Sequence, residues 1–303
     1  MKPNDYLKKI LAEQIFEDDA PELEDLRQRR NNIEGCLRTH FSKSSPSIRW
    51  AGSKAKGTMI RESYDGDMTC YFPHDEKEAG ETLKGIYDNT ELALTRDFQI
   101  ERKASVLRVR DKEDWRTDLY IDVVPGRYTD DDDVFLHRTT GDKQLLKTNL
   151  QTHIDHIRDS GVADAIRLMK LWKVRNGLNT AKTFVLELLV VRLLAEKKSA
   201  GLSMQQEHVW TEFRDNPDDL AVEDPANPHG NDLKPLIDDC RHLLSTVASD
   251  TLWQIENNGW EAVFGGIAED DGNGGGGKSH RSAALQAAVA SVATRNRPWR
   301  QGT

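Results

Sequence analysis

The fold of the chain is decided between residues 51 and 73, where the sequence reads AGSKAKGTMIRESYDGDMTCYFP. Gly52 and Ser53 predict a tight turn between a short strand and a short helix. Twelve residues after Ser53, an Asp-Gly-Asp tripeptide opens a second predicted strand. Because strand side chains alternate between faces, Asp65 and Asp67 are expected on the same face.

These two carboxylates predict a metal site. Neighbouring carboxylates repel each other unless a cation lies between them. A third candidate, Asp122, lies in the predicted strand LYIDVVPG. Oxygen ligands suit Mg²⁺, which is commonly completed by substrate phosphates. We therefore expect Asp65, Asp67 and Asp122 to hold two Mg²⁺ ions, with Mn²⁺ as a substitute, for an in-line displacement that releases pyrophosphate.

The glycine turn predicts the other half of the site. A turn that opens a helix exposes backbone N–H groups to an anion. Gly52 allows the close approach, and the Ser53 hydroxyl is a further donor for a terminal phosphate.

Each motif has a simpler interpretation when taken alone. An isolated Asp-X-Asp is usually a solvated turn, and Asp130–Asp133 is interpreted as such a loop. Asp118 shares side-chain parity with Asp122 but lies at the entry of its strand, so it ranks below Asp122 as a ligand. The combination of turn, Asp-X-Asp and later strand aspartate favours catalysis.

The rest of the chain predicts an α+β protein with two lobes. The length of 303 residues fits about two domains. Helices and a mixed sheet are expected over 1–142, including an N-terminal helix, and a helical lobe over 143–303. The Gly-rich segment at 270–280 is expected to be a flexible loop. The nucleotide is expected to bind in a cleft between the two lobes, lined by residues of both.

Composition narrows the function classes. The 51 acidic and 42 basic residues give a net charge of −9, and the mean hydropathy is −0.69. An acidic chain is a poor binder of long nucleic acid, which needs a basic footprint. No apolar run is long enough for a membrane span, and no secretion signal is visible. Three scattered cysteines form no zinc or disulfide framework. We expect a cytoplasmic protein with no stable nucleic-acid or membrane partner.

The active-site motif resembles that of the polymerase-β-type nucleotidyltransferase superfamily. Two segments narrow the resemblance: IRLMKLWKVRNG followed by TFVLELLVVRLL, and VEDPANPHGND. They are similar to the paired helices and the Asp-Pro loop of oligoadenylate synthases. Over about 45–265, the chain resembles the cGAS/DncV-like nucleotidyltransferases, which are bacterial relatives of cyclic GMP-AMP synthase.

This resemblance implies roles for further residues. Lys170 matches the family's lysine that neutralises the triphosphate; the alternative is an ordinary solvated helix lysine. Thr183 and Phe184 fall where the family places base-contacting residues, although Phe184 is equally compatible with core packing. Asp224 is expected to shape its loop. Asp122 would also help activate the attacking ribose hydroxyl.

The implied activity is the joining of nucleoside triphosphates, ATP among them, into a cyclic di- or trinucleotide messenger for antiphage defence. A regulatory protein partner from a defence operon is also implied. One alternative is a template-independent transferase acting on an RNA end, a small molecule or a protein. Another is a non-catalytic nucleotide sensor or toxin–antitoxin component, against which the intact aspartate set argues.

Overall fold

A computed structural model describes residues 1–112, 119–139 and 144–267. The described chain forms two compact units. We call the first the sheet unit, comprising 15–163 and 223–232. The second is the helical unit, comprising 1–14, 164–222 and 233–267.

The described residues form one seven-stranded mixed sheet. Its strands are β1 (Ser47–Trp50), β2 (Gly66–Phe72), β3 (Phe98–Arg102), β4 (Leu107–Asp111), β5 (Ile121–Tyr128), β6 (Val134–His137) and β7 (Leu145–Thr148). The main order is β1-β2-β5-β4-β3, with β6 paired to β5 and β7 paired to β6. Only the β2–β5 pair is parallel among these described pairs, and it is the central one.

Strand β5 has two different neighbours along one edge. Its first residues pair with β4 up to Val123, and its last residues pair with β6 from Arg127. Pro125 lies between these two segments, where its missing N–H removes no bond from either ladder. A Cβ on the next residue, Gly126, would lie 2.6 Å from a methyl carbon of Val134, so glycine permits β6 to pack there. A proline followed by a glycine predicts the end of a strand, but this strand continues past Pro125-Gly126 to Tyr128.

Four helices belong to the sheet unit in the described chain. They are α2 (Pro21–His40), α3 (Gly52–Lys56), α4 (Leu83–Thr95) and α5 (Leu150–Arg158). The periodic leucines and isoleucine of α2 are all buried, as predicted. Pro21 occupies its first turn, where a missing N–H costs nothing. Thr82 caps α4 by accepting a hydrogen bond from the Gly85 N–H.

The helical unit contains the remaining described helices. They are α1 (Pro3–Gln14), α6 (Ala163–Arg175), α7 (Thr183–Leu193), α8 (Leu202–Asp215), α9 (Lys234–Asp238), α10 (Arg241–Asn258) and α11 (Glu261–Phe264), with a 3₁₀ turn at Pro217–Asp219. The core of this unit contains a cluster of aromatic rings, Trp172, Trp210, Phe213, Trp260 and Phe264. The predicted stop of α6 is confirmed, since Gly177 follows it with a φ of 62°.

The units differ from the predicted lobes at both ends. Helix α1 belongs to the helical unit, because its apolar face packs on α8. Strand β7 and helix α5 extend the sheet unit to residue 163, beyond the predicted boundary at 142/143. The 223–232 segment also belongs to the sheet unit, although helical-unit residues flank it in sequence.

Three predicted elements were subdivided. The apolar spacing of the first forty residues predicts one helix, but they contain two. The stretch FQIERKASVLRVR (98–110) predicts a single strand, but residues 98–111 form the β3–β4 hairpin. The long helix predicted from Leu233 is broken between α9 and α10. Helix α8 was not predicted. The predicted Gly-rich loop and Asp118 lie outside the described residues.

None of the described helices has the length and apolar character needed to cross a lipid bilayer.

Candidate active site

The central parallel pair of strands brings two of the three candidate aspartates together. Asp67 on β2 and Asp122 on β5 are direct partners in the β2–β5 register. Paired residues of neighbouring strands point to the same face of a sheet. Asp65 lies two residues before Asp67, just outside β2, and all three side chains are half-buried. Residues from distant parts of the sequence thus meet on one face.

The glycine turn packs directly on this face. The Ala51 N–H donates to the Asp67 carbonyl at 2.8 Å. Gly52 has a φ of 53°, and a Cβ added to it would lie 1.7 Å from Asp67 Oδ2. Only glycine combines this left-handed backbone with such a close approach to the carboxylate.

The Ser53 side chain has an unusual environment. Ser53 is the second residue of α3 and is only 8% exposed. Its Oγ is buried and has no hydrogen-bond partner within the described part of the chain. Buried polar groups are normally hydrogen-bonded, so this hydroxyl is available to a ligand.

Asp65 is held by a tyrosine that the sequence analysis did not identify. Tyr120 Oη donates to Asp65 Oδ2 at 2.7 Å. Burial, reinforced by the Asp65 charge, raises the pKa of Tyr120, so the phenol remains a donor. Tyr120 is two residues before Asp122, so in an extended strand both side chains lie on the same face. This alternation is the sequence signal that could have identified Tyr120.

Asp122 is held by an arginine that was also missed. Arg108 Nε and Nη2 donate to Asp122 Oδ1 and Oδ2, both at 2.9 Å. This bidentate hydrogen bonding raises the pKa of Arg108. The guanidinium carbon also lies 3.6 Å from the Tyr120 ring centroid. Sequence alone could not pair Arg108 with Asp122, because the strand register sets that contact.

The donor chemistry suits a divalent metal, since carboxylate oxygens are the ligands that Mg²⁺ prefers. The close packing of Gly52 against Asp67 and the unpartnered Ser53 hydroxyl are consistent with a ligand site here. However, no three or more histidine, cysteine or acidic side chains in the described residues are grouped closely enough to hold a metal. Tyr120 and Arg108 instead engage two of the carboxylates.

The helical unit contains the other predicted nucleotide-binding residues. Lys170 on α6 is 5% exposed, and its Nζ lies 4.0 Å from Oε1 of Glu187, which is also buried. The alternative of a solvated helix lysine is therefore wrong. Thr183 and Phe184 are the first residues of α7 and are half-buried, whereas the next six residues are buried.

Asp224 is a buried carboxylate of the sheet unit. Its oxygens lie 2.6 Å from His153 Nε2 and accept hydrogen bonds from the Asn231 side chain and the Ala226 N–H. Burial favours the neutral acid, but these hydrogen bonds outweigh burial and lower the pKa of Asp224. The contacts give Asp224 a structural role in its loop.

Comparison with known proteins gives one sequence relative. No family model matches the chain. It is similar to a cyclic AMP-AMP-AMP synthase of Escherichia coli (strain MS 115-1), with 27% identity over 188 residues. The match covers 56% of this chain and 57% of that synthase, so the chain spans little more than half of this curated relative.

Solved structures share the fold. The CdnC:HORMA-deltaN complex of E. coli MS115-1 matches with a TM-score of 0.61 and 20% identity, over 87% of this chain and 97% of that chain. Vibrio cholerae DncV cyclic AMP-GMP synthase, in complex with nonhydrolyzable GTP, matches with a TM-score of 0.58 and 17% identity, over 76% of this chain and 71% of that chain. The chain therefore has the polymerase-β-like nucleotidyltransferase fold, and its resemblance to the cGAS/DncV-like nucleotidyltransferases is confirmed.

Proposed function

We propose that this chain, which has the fold of the cGAS/DncV-like nucleotidyltransferases, joins nucleoside triphosphates into a cyclic di- or trinucleotide. The observation that carries the proposal is the pairing of Asp67 with Asp122 beside the Gly52–Ser53 turn. This arrangement offers carboxylates for metals and a free hydroxyl for a phosphate on one face of a sheet. The sequence similarity to a cyclic AMP-AMP-AMP synthase favours a cyclic product.

In the proposed reaction, a ribose hydroxyl of one nucleotide attacks the α-phosphorus of another. The bond between that phosphorus and the bridging oxygen breaks, and pyrophosphate leaves with the electron pair. A final displacement within the linear di- or trinucleotide intermediate, in which its terminal hydroxyl attacks its own α-phosphorus and a further pyrophosphate leaves, closes the ring. Two Mg²⁺ ions, or Mn²⁺ in their place, would supply charge neutralisation and activation of the hydroxyl.

The protein's own groups have separate tasks in this proposal. Asp65, Asp67 and Asp122 would hold the metals, and Asp122 would also help activate the attacking hydroxyl. Ser53 would donate its unpartnered hydroxyl to a terminal phosphate oxygen. Tyr120 would keep Asp65 oriented through its 2.7 Å hydrogen bond.

Residues of the helical unit would also bind nucleotide, as the family resemblance implies. Lys170 would neutralise the triphosphate, with Glu187 fixing the position of its ammonium group. Thr183 and Phe184 would contact the base from the first turn of α7, where they retain partial exposure. These roles follow the family resemblance and the burial pattern together.

The proposed biological role is the production of a messenger in antiphage defence. The solved complex of CdnC with HORMA-deltaN supports a regulatory protein partner for this chain as well. The structure of DncV with nonhydrolyzable GTP supports nucleoside triphosphates as substrates.

The test is incubation of the purified chain with α-³²P-labelled ribonucleoside triphosphates and Mg²⁺, with and without added RNA or protein. A labelled product that resists phosphatase and forms without any acceptor supports cyclisation, because a closed ring has no terminal phosphate. Labelling only of an added RNA or protein would instead establish the acceptor-dependent transferase and overturn the proposal.

A further inference from the structure

Arg108 lies between two carboxylates in one rung of the sheet. It is the register partner of Glu101 on β3 and of Asp122 on β5. Side chains of directly paired residues share a face. One guanidinium therefore has a carboxylate on each side, and Glu101 is its alternative partner in the same rung.

In the structure, Arg108 binds Asp122. Its planar fork contacts both oxygens of that carboxylate, each at 2.9 Å, and the Tyr120 ring supports its face. The Arg108 and Asp122 side chains are only 22% and 16% exposed. Glu101 is more exposed, at 46%, and is contacted by Lys103 and Arg110.

This ion pair conflicts with metal binding at Asp122. A divalent ion needs an oxygen of that carboxylate, and the fork engages both of them. A guanidinium that stayed in place would also repel the incoming cation.

We propose that Arg108 is an exchangeable counter-cation of Asp122, which a divalent metal displaces and which then moves to Glu101. The proposal rests on the proposed function only in taking Asp122 as a metal ligand. Without metal, Arg108 neutralises the charge of Asp122, the register partner of Asp67. Metal loading is thereby coupled to a movement of one side chain across β4.

Arg110 provides a matched control for the test. It lies two residues along the same strand and face, 5.4 Å from the Tyr120 ring centroid. It forms an ion pair with Glu101 at 3.2 Å, and its exposure of 27% resembles the 22% of Arg108. Removing its charge changes the local potential but leaves the Arg108 fork on Asp122.

The experiment measures Mn²⁺ binding to the nucleotide-free full chain, using the EPR signal of unbound Mn²⁺. Loss of a charge-assisted bidentate contact predicts that Arg108→Gln tightens Mn²⁺ binding about tenfold. Arg108→Lys keeps the positive charge but cannot make the bidentate contact. It should therefore also tighten Mn²⁺ binding, by a smaller factor. Arg110→Gln, which leaves the Arg108 contacts to Asp122 in place, should tighten Mn²⁺ binding clearly less than Arg108→Gln does. Equal effects of Arg108→Gln and Arg110→Gln would overturn the proposal, as would unchanged binding in both Arg108 variants.

The role of Glu101 is tested by a double-mutant cycle. Glu101→Gln should weaken Mn²⁺ binding when Arg108 is present, because the displaced guanidinium has lost its second partner. The same substitution should have little effect in the Arg108→Gln background. An equal effect in both backgrounds would show a simple charge effect and would refute the movement to Glu101.

Thermal unfolding gives a second readout. In EDTA, Arg108→Gln should lower the melting temperature because the Asp122 carboxylate, whose side chain is only 16% exposed, loses its bidentate ion pair. Added Mn²⁺ should raise it more than in the wild type. If Arg108→Gln fails to fold, the Mn²⁺ affinity of Arg108→Lys relative to the wild type still tests the proposal, since tighter binding supports it and unchanged binding contradicts it.

The two proposals can fail separately. If the wild type makes nucleotide products but the Arg108 variants bind Mn²⁺ with unchanged affinity, only the counter-cation proposal is refuted. If the wild type and the Arg108 variants bind Mn²⁺ as expected but the wild type makes no nucleotide product, only the proposed function is refuted. Absence of Mn²⁺ binding to the wild type overturns the counter-cation proposal.

Discussion

At the scale of single residues, Ser53 has a buried hydroxyl without a partner in the described chain, and it directly follows Gly52, which packs against Asp67. An unsatisfied buried polar group costs about 1–3 kcal/mol of stability. A protein that retains such a group at a candidate phosphate site has a functional reason to do so, and that reason can be separated from folding.

Ser53→Ala should lower kcat/KM for nucleoside triphosphates by about tenfold or more, because a hydrogen bond to a charged phosphate is lost. The free energy of unfolding should stay equal or rise, since the substitution removes an unsatisfied hydroxyl. Steady-state pyrophosphate release and urea unfolding measure the two effects. Full activity in the variant, or a marked loss of stability, would contradict the role given to Ser53.

Gly52 and Gly57 form a matched pair at the two ends of α3. Both have positive φ, at 53° and 72°, but only a Cβ at Gly52 would overlap Asp67. Alanine at either position should cost about 1 kcal/mol in backbone strain. Gly52→Ala should in addition displace the Asp67 carboxylate and abolish most activity, whereas Gly57→Ala should retain it. Equal activity losses in the two variants would argue against a specific Gly52–Asp67 contact.

At the scale of elements, the loop 223–232 contacts both α5 and β7. Asp224 of the loop contacts His153 of α5, and the Asn227 side chain donates to the Lys147 carbonyl of β7. Sequence reasoning predicted an irregular loop with a structural aspartate. It could not predict the partners, because they depend on the register of β6 and β7, which were not predicted.

Asp224→Asn should destabilise the protein by about 1–3 kcal/mol at pH 7, because a buried, multiply hydrogen-bonded charge is replaced. The pKa of Asp224 is lower in the folded protein than in the unfolded chain. Its stabilisation is therefore complete above the ordinary aspartate pKa of about 3.9 and is lost as the pH falls through the lower, folded value. Denaturant unfolding from pH 7 downwards should show a constant gap between wild type and variant until about pH 4, and a shrinking gap below it.

The neighbouring exposed Glu223 supplies the control, since Glu223→Gln should leave stability nearly unchanged at every pH. A gap for Asp224→Asn that grows with acidification would contradict the sign of this linkage.

The elements also show what sequence patterns can and cannot predict. The strand–turn–helix at Gly52 and the buried α7 were predictable, because glycine chemistry and continuous apolar sequence are local signals. The β3–β4 hairpin was not separated, because its connecting residues 103–106 carry no glycine or proline. The aspartate set was identified from spacing, whereas Tyr120 and Arg108 became visible only through pairing across strands.

At the scale of the whole molecule, the N-terminal helix does not belong to the unit that follows it in sequence. Leu7 and Ile10 of α1 are at most 1% exposed, and the Tyr6 hydroxyl donates to the Gly265 carbonyl at 2.6 Å. The Ser203 N–H donates to the Asn4 side chain at 2.9 Å. The two ends of the described chain are thus joined within the helical unit.

Ile10→Ala should destabilise the helical unit by about 2–5 kcal/mol, because it leaves a cavity in the packed core. Hydrogen exchange should accelerate in α8 and α10 while protection in the central sheet strands remains. Ile15→Ala, at a position that is 44% exposed, is the control and should change little. Faster exchange confined to the sheet would contradict the placement of α1 in the helical unit.

The central claim is that the carboxylates on the β2–β5 face make a cyclic nucleotide, and mass spectrometry of the reaction products tests it most directly. The wild-type chain and the Asp65→Asn/Asp67→Asn double variant are incubated with all four ribonucleoside triphosphates and Mg²⁺ or Mn²⁺. The account predicts a product with the mass of a cyclic di- or trinucleotide from the wild type, and none from a double variant that remains folded. No such product from the wild type, or an equal yield from the double variant, would contradict it.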